Sequence, residues 1–199
     1  MHINYLLEVF NKNKEKDAII WNNKSYTYDW LLENYILWLK ILKENSVKPG
    51  SVIVIHADFS PKAISLLLAT IELNAIIVPL TDSIQSKVDD FINISEGEVI
   101  IKIDMNDNFS IQKINKKASN KYYDTLRLRR HPGLVLFSSG STGKSKASVH
   151  DLTFLLEKFK IKRHCLITIT FLLYDHIGGF NTLFYVLSNA GLIVTVQSR

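Results

Sequence analysis

The nine-residue run Ser138-Ser139-Gly140-Ser141-Thr142-Gly143-Lys144-Ser145-Lys146 concentrates hydroxyls, glycines and cations that no hydrophobic core can use. Gly140 and Gly143 let backbone N–H groups converge on one point. The hydroxyls of Ser138, Ser139, Ser141 and Thr142 donate hydrogen bonds, and the ammoniums of Lys144 and Lys146 neutralise negative charge. Such a set suits an oxyanion, and a nucleotide polyphosphate is the leading ligand. The apolar run Leu134-Val135-Leu136-Phe137 just before it reads as a buried strand that delivers the loop to a sheet edge.

Two common phosphate motifs do not fit. A P-loop needs Gly-x-x-x-x-Gly-Lys-[Ser/Thr], and although Gly143-Lys144-Ser145 supplies the end, its first glycine falls on Ser138. Serine resists the positive φ that glycine accepts there. The dinucleotide fingerprint fails on glycine spacing. Elsewhere, Tyr174-Asp175-His176-Ile177-Gly178-Gly179 places a histidine before two glycines at a strand-to-helix transition, where it is free to line a cavity. Asp175 is read as the partner of a nearby base or the cap of the following helix. His150 is explained by capping or a local hydrogen bond. Cys165 is the single cysteine, without ligand-like spacing, and is expected to be a buried thiol rather than a metal ligand.

The elements that must position these residues alternate strand and helix. Thr27 caps a helix running through Trp30, Leu31, Leu32, Tyr35, Ile36, Trp38, Leu39 and Leu42. Lys48-Pro49-Gly50 turns the chain into Val52–Ile55, apolar on both faces and therefore an interior strand. Ser60-Pro61 starts a helix over Lys62–Leu73, Asn74 ends it, and Ala75–Leu80 is the next strand. Gln85–Ile92 is a candidate helix and Val99–Ile103 a strand, while Asp104–Tyr123 reads as a surface excursion. After the loop come a helix over Asp151–Lys160, a strand over Leu166–Phe171, a helix over Asn181–Asn189 and a strand over Leu192–Val196, with Gly191 in the turn. This order predicts an α/β fold, a mostly parallel sheet with helical crossovers.

Composition narrows the class. At 199 residues, 47% hydrophobic and 22% charged, the chain is read as a globular protein with a sizeable core. No apolar stretch reaches the length of a membrane span, and the N-terminus lacks a signal-peptide pattern, so the cytoplasm is the expected location. The net charge of +5 gathers around Lys113, Lys116, Lys117, Lys121, Arg127, Arg129 and Arg130. Few aromatics and no nucleic-acid consensus accompany it, so a solvated basic face is expected and not a nucleic-acid site.

The loop resembles the phosphate-binding signature of the adenylate-forming superfamily, which includes acyl- and aryl-CoA synthetases, luciferases and peptide-synthetase adenylation domains. That pattern is two small hydroxyl residues, Gly, Ser/Thr, Thr, Gly, any residue, usually Pro, then Lys. Ser145 stands where proline is common and Ala147 where glycine often follows, and Val149-His150 continues the run. Tyr26-Thr27-Tyr28, Lys48-Pro49-Gly50-Ser51-Val52 and Tyr174–Gly179 are similar to further family segments, the last to its aromatic pocket.

The resemblance implies an ATP- and magnesium-dependent ligase: a small carboxylate attacks the α-phosphorus, pyrophosphate leaves, and coenzyme A or a carrier's phosphopantetheine takes the acyl group. It places Ser138, Ser139, Gly140, Ser141, Thr142, Gly143, Lys144 and Lys146 on the phosphates, with Lys146 offsetting developing charge. His176, Gly178 and Gly179 fall at the acyl pocket or thiol channel. The family's adenine and ribose segments, hinge and small lid domain find no counterpart in residues 1–199. The chain therefore reads as the incomplete amino-terminal portion of the large domain, expected to be incompetent alone and to need a complementary carboxyl-terminal polypeptide. The alternatives are one half of a split ligase or a non-catalytic nucleotide-responsive or structural interaction module.

Overall fold

The computed structural model describes residues 2–138 and 145–196, without the side chains of 84–86. In chain order the elements are α1 (Asn4–Lys12), β1 (Asp17–Trp21), β2 (Lys24–Thr27), α2 (Tyr28–Glu44), β3 (Val52–His56), α3 (Pro61–Glu72) and β4 (Ile76–Leu80). A 3-10 turn (Asp82–Lys87) leads to α4 (Val88–Ile94), β5 (Val99–Ile103), β6 (Phe109–Lys113), α5 (Lys121–Arg129) and β7 (Gly133–Ser138). The rest is β8 (Lys146–Asp151), α6 (Leu152–Glu157), β9 (Ile167–Thr170), α7 (Ile177–Ser188) and β10 (Leu192–Thr195).

Two sheets form. One has the order β6-β5-β3-β4-β7-β8 and the other β2-β1-β10-β9. Strands β5, β3, β4 and β7 run parallel, as do β1, β10 and β9, with antiparallel strands β6, β8 and β2 at edges. The α/β class with a mostly parallel sheet is thus present. The parallel strands are the continuous apolar runs, and β3 and β4 are buried at every position. Their alternate residues feed two cores. Ile53, Ile55 and Ile77 join one that reaches Ile19 and Ile193 of the other sheet through α2, α3 and α7. Val52, Val54, Ile76 and Val78 face Phe91 of α4 and Tyr123 and Leu126 of α5.

Local sequence sets the helix ends. Thr27 Oγ1 accepts from Trp30 N at 3.2 Å and Ser60 Oγ accepts from Ala63 N at 3.1 Å, so both caps stand where the hydroxyls forecast them. Gly50 takes φ +78° in the turn before β3. Asn74 ends α3 at φ 58°.

Several expectations need correction. Asp104–Tyr123 is no bare excursion: it contains β6, hydrogen-bonded along β5, and the start of α5. The helix expected over Gln85–Ile92 is a 3-10 turn followed by α4, and that expected from Asn181 starts at Ile177. Cys165 is exposed, not buried; its Sγ donates to Ala190 O at 3.1 Å in the stretch before β9. Arg127 does not belong to a solvated face. Its guanidinium donates to Gly50 O and Ala118 O and pairs with Glu98, fastening α5 to the β3 entry.

Candidate functional site

In a parallel sheet, ligands gather beyond the carboxyl ends of the strands, where neighbouring connections diverge. Here the ends of β4 and β7 carry Leu80 and Ser138, and a cleft of ≈ 220 Å³ opens beside them. Pro79, Leu80, Phe91 and Phe137 form its apolar part, with Phe91 and Phe137 stacked at 3.8 Å and 7°. Lys87, Ser138, Ser145, Asp175 and His176 bring its polar groups.

This arrangement unites the two chemistry-bearing segments of the sequence. Ser138 and Ser145 flank the glycine-rich loop, which is the connection of the β7–β8 hairpin, and both line the cleft with the Asp175-His176 pair. Ser139, Gly140, Ser141, Thr142, Gly143 and Lys144 lie outside the described residues. Lys146 opens β8 in register with Ser138 and is exposed. Directly opposed residues of an antiparallel pair project from the same face, so Lys146 leaves the sheet on the side of Ser138, at the rim and not in the wall. Strand β8 itself is an element that the sequence did not announce.

The His176 segment is fastened from both sides. Tyr174 is buried; its hydroxyl donates to Ala57 O at 2.9 Å, its ring meets Phe59 edge-on at 5.1 Å, and burial raises its phenol well above the ordinary pKa. Asp175 Oδ2 accepts from Thr81 Oγ1 at 2.8 Å, so the carboxylate ties this segment to the end of β4. It does not cap α7, whose N-cap is His176, without a side-chain bond. The other oxygen, Asp175 Oδ1, is buried and has no hydrogen-bond partner among the described residues. His176 Nε2 lies 3.9 Å from it, beyond hydrogen-bond reach, and the imidazole is 64% exposed. Gly178 and Gly179 sit in the first turn of α7, outside the cleft lining, where Gly179 lets the helix approach the Leu172-Leu173 backbone.

Nearby, His56 Nε2 stands 2.9 Å from Asp82 Oδ1, and burial holds the imidazole below its ordinary pKa although Asp82 opposes this. His150 makes the local contact expected of it, to Ser148 Oγ at 3.0 Å. Among the described residues no group of three or more His, Cys, Asp or Glu side chains could hold a metal ion, and no helix is long and apolar enough to cross a membrane. Sequence reading missed Thr81, Lys87 and Phe91. The signal for Thr81 was present, a polar residue immediately after an apolar interior strand.

The family model of the AMP-binding enzymes matches residues 6–199. The chain belongs to that family. No curated protein sequence matches this AMP-binding family member. Among solved structures it is similar to the Klebsiella oxytoca NpsA N-terminal subdomain in complex with 3-hydroxyanthranilyl-AMSN (TM-score 0.76, 16% identity), over 97% of this chain and 52% of that one. It is similar also to NpsA-ThdA, an artificially fused adenylation-PCP di-domain from Klebsiella oxytoca (0.75, 16%), over 98% and 42%. CmiS6 matches at 0.74 and 12% identity over 99% and 52%. At these identities the likeness shows the fold. The chain spans about half the length of the solved structures it matches.

Proposed function

We propose that this family member takes part in ATP-dependent activation of a small carboxylic acid. A carboxylate oxygen attacks the α-phosphorus of MgATP, the bond from that phosphorus to the bridging oxygen breaks, and pyrophosphate leaves with the electron pair. The product is an acyl-adenylate, whose mixed anhydride is a far better acyl donor than the carboxylate. The observation that carries this reading is the single cleft shared by Ser138, Ser145 and the Asp175-His176 pair. One group of residues suits phosphate oxygens and the other suits the body of the acid and a donor substituent on it, so one ligand spanning both would have its reacting ends together.

In this reading the loop residues Ser138–Thr142, Gly143 and Lys144 grip the β- and γ-phosphates, and Lys146, at the rim beside Ser138, offsets charge that develops at the phosphorus. Magnesium enters with the triphosphate as part of the substrate. The apolar wall of Leu80, Phe91 and Phe137 favours an acyl or aryl acid. The unpartnered Asp175 Oδ1 favours one that bears a donor, an amine or a hydroxyl, since a buried carboxylate oxygen without a partner is costly. The anthranilyl and 3-hydroxybenzoyl groups named with the NpsA structures carry such donors. His176, with Gly178 and Gly179 behind it, borders the acyl pocket and the route of the thiol, either coenzyme A or a carrier's phosphopantetheine.

Residues 1–199 would serve as the amino-terminal portion of the adenylating domain, completed by a complementary polypeptide. One edge fits that role. Strand β9 is an edge of its sheet, Ile167 and Ile169 on it are 76% and 59% exposed, and Phe171 just after it is 70% exposed; an apolar edge strand of this kind invites pairing. The test is to incubate the chain, alone and with a complementing segment, with MgATP and a panel of amino- and hydroxy-substituted acids. Pyrophosphate and acyl-AMP should form together and only when acid is present. Phosphate release without acid, or no acyl-AMP in either arrangement, contradicts the proposal.

A further inference from the structure

The cleft contains a cation that nothing in the loop accounts for. Lys87, at the junction of the 3-10 turn and α4, lines it together with Ser138, Ser145, Asp175 and His176. No ion pair or hydrogen bond of Lys87 is present among the described residues, although Asp89 and Asp90 follow it closely in sequence. The ammonium is solvated and free to swing toward an anion.

Its position is fixed by the packing beneath. Phe91, one turn further along α4, also lines the cleft and stacks flat on Phe137, the residue that precedes Ser138. The α4 entry is thereby held against the end of β7, on the phosphate side of the cleft. Electrostatics call for a cation there. The wall includes the Asp175 carboxylate, which would repel a triphosphate, and apart from His176 no other basic side chain lines it among the described residues.

We infer that Lys87 is a second cation for the β- and γ-phosphates, approaching them from the α4 side of the cleft that Ser138 and Ser145 also line. The inference rests on the phosphate-binding reading of this cleft and deepens it. A charge-assisted contact of this kind corresponds to a loss of roughly ten- to a hundred-fold in affinity when it is removed. Because the ammonium acts as a point charge on a flexible stem, arginine should replace it in large part.

The experiment titrates the 199-residue chain at low salt with inorganic tripolyphosphate, ATP and AMP by calorimetry, for the wild type, Lys87→Gln and Lys87→Arg. Lys113→Gln, an exposed change on β6, controls for general loss of positive charge. The expected result is tripolyphosphate and ATP binding weakened at least ten-fold by Lys87→Gln, largely restored by Lys87→Arg and little changed by Lys113→Gln, with AMP binding unaffected. Wild-type binding that Lys87→Gln leaves intact, or an equal loss for AMP, overturns the role of Lys87 and spares the parent reading. No tripolyphosphate binding by the wild type sinks both.

Discussion

Replacing Lys146 with alanine is expected to slow acyl-adenylate formation by about 10²- to 10³-fold, in whichever assembly of the chain is active, without lowering the unfolding temperature. On the proposed role, the size follows from the loss of one charge that would offset the charge developing in the transition state. The unchanged stability follows from the position. Lys146 is exposed at the start of an edge strand, in register with Ser138, and forms no ion pair among the described residues. Surface changes away from buried features usually shift stability by under about 0.5 kcal/mol. Single-turnover pyrophosphate release and a thermal melt, run on the same preparation, separate the two quantities. A rate within about two-fold of wild type would remove Lys146 from the chemistry. The effect also differs in kind from that of Lys87→Gln, which should act on nucleotide binding more than on the rate at saturation.

The largest structural effect is expected at Gly179. A Cβ there would overlap the carbonyl of Leu173 and come within 2.5 Å of Leu172 O, so the obstruction is backbone and no rotamer change relieves it. The first turn of α7 would have to move away from residues 172 and 173. That shift drags His176 and strains the bonds from Asp175 to Thr81 and from Tyr174 to Ala57. Gly179→Ala should therefore cost about 3 kcal/mol, the upper end for overpacking. Its neighbour supplies the contrast. A Cβ on Gly178 meets only Leu172 Cδ1, at 2.9 Å, the far end of a rotatable side chain. Gly178→Ala also gains helix propensity of about 1 kcal/mol, and the two effects should leave stability nearly unchanged. Urea unfolding of both variants decides the matter, and equal midpoints would show that the close approach at Gly179 is not a constraint.

What the sequence disclosed, and what it hid, follows from burial. Strands β3 and β4 sit inside a parallel sheet, so both faces are apolar and the run is visible. The Thr27 and Ser60 caps were legible because cap chemistry is local. Strand β8, Lys-Ala-Ser-Val-His-Asp, is an edge strand with exposed and half-buried positions only, and its alternation rests on just Ala147 and Val149, too short a signal to stand out. In β6 the alternation is equally short, Phe109 and Ile111 set between Ser110 and Gln112 in a polar stretch. The β1–β2 hairpin did leave a trace, in Asn22 and Asn23, both with positive φ as a tight hairpin turn demands. Cys165 misled because a lone thiol is buried more often than not, and the stretch that holds it happens to run over the surface. At the site, the loop and the His176 segment were each readable from residue type. Their meeting was expected from the family resemblance alone and not from residue type, because the bond from Thr81 to Asp175 joins residues far apart in sequence through the packing of two sheets. Nothing local announces it.

The most direct test of the shared cleft is hydrogen–deuterium exchange with and without a non-hydrolysable aryl-sulfamoyl adenosine, a mimic of the acyl-adenylate. The account predicts that Phe137–Ser145 and Tyr174–Gly178 gain protection together, at the same ligand concentration, while α5 and the β5–β6 hairpin stay unchanged. Binding that protects only one of the two segments, or neither, would contradict it.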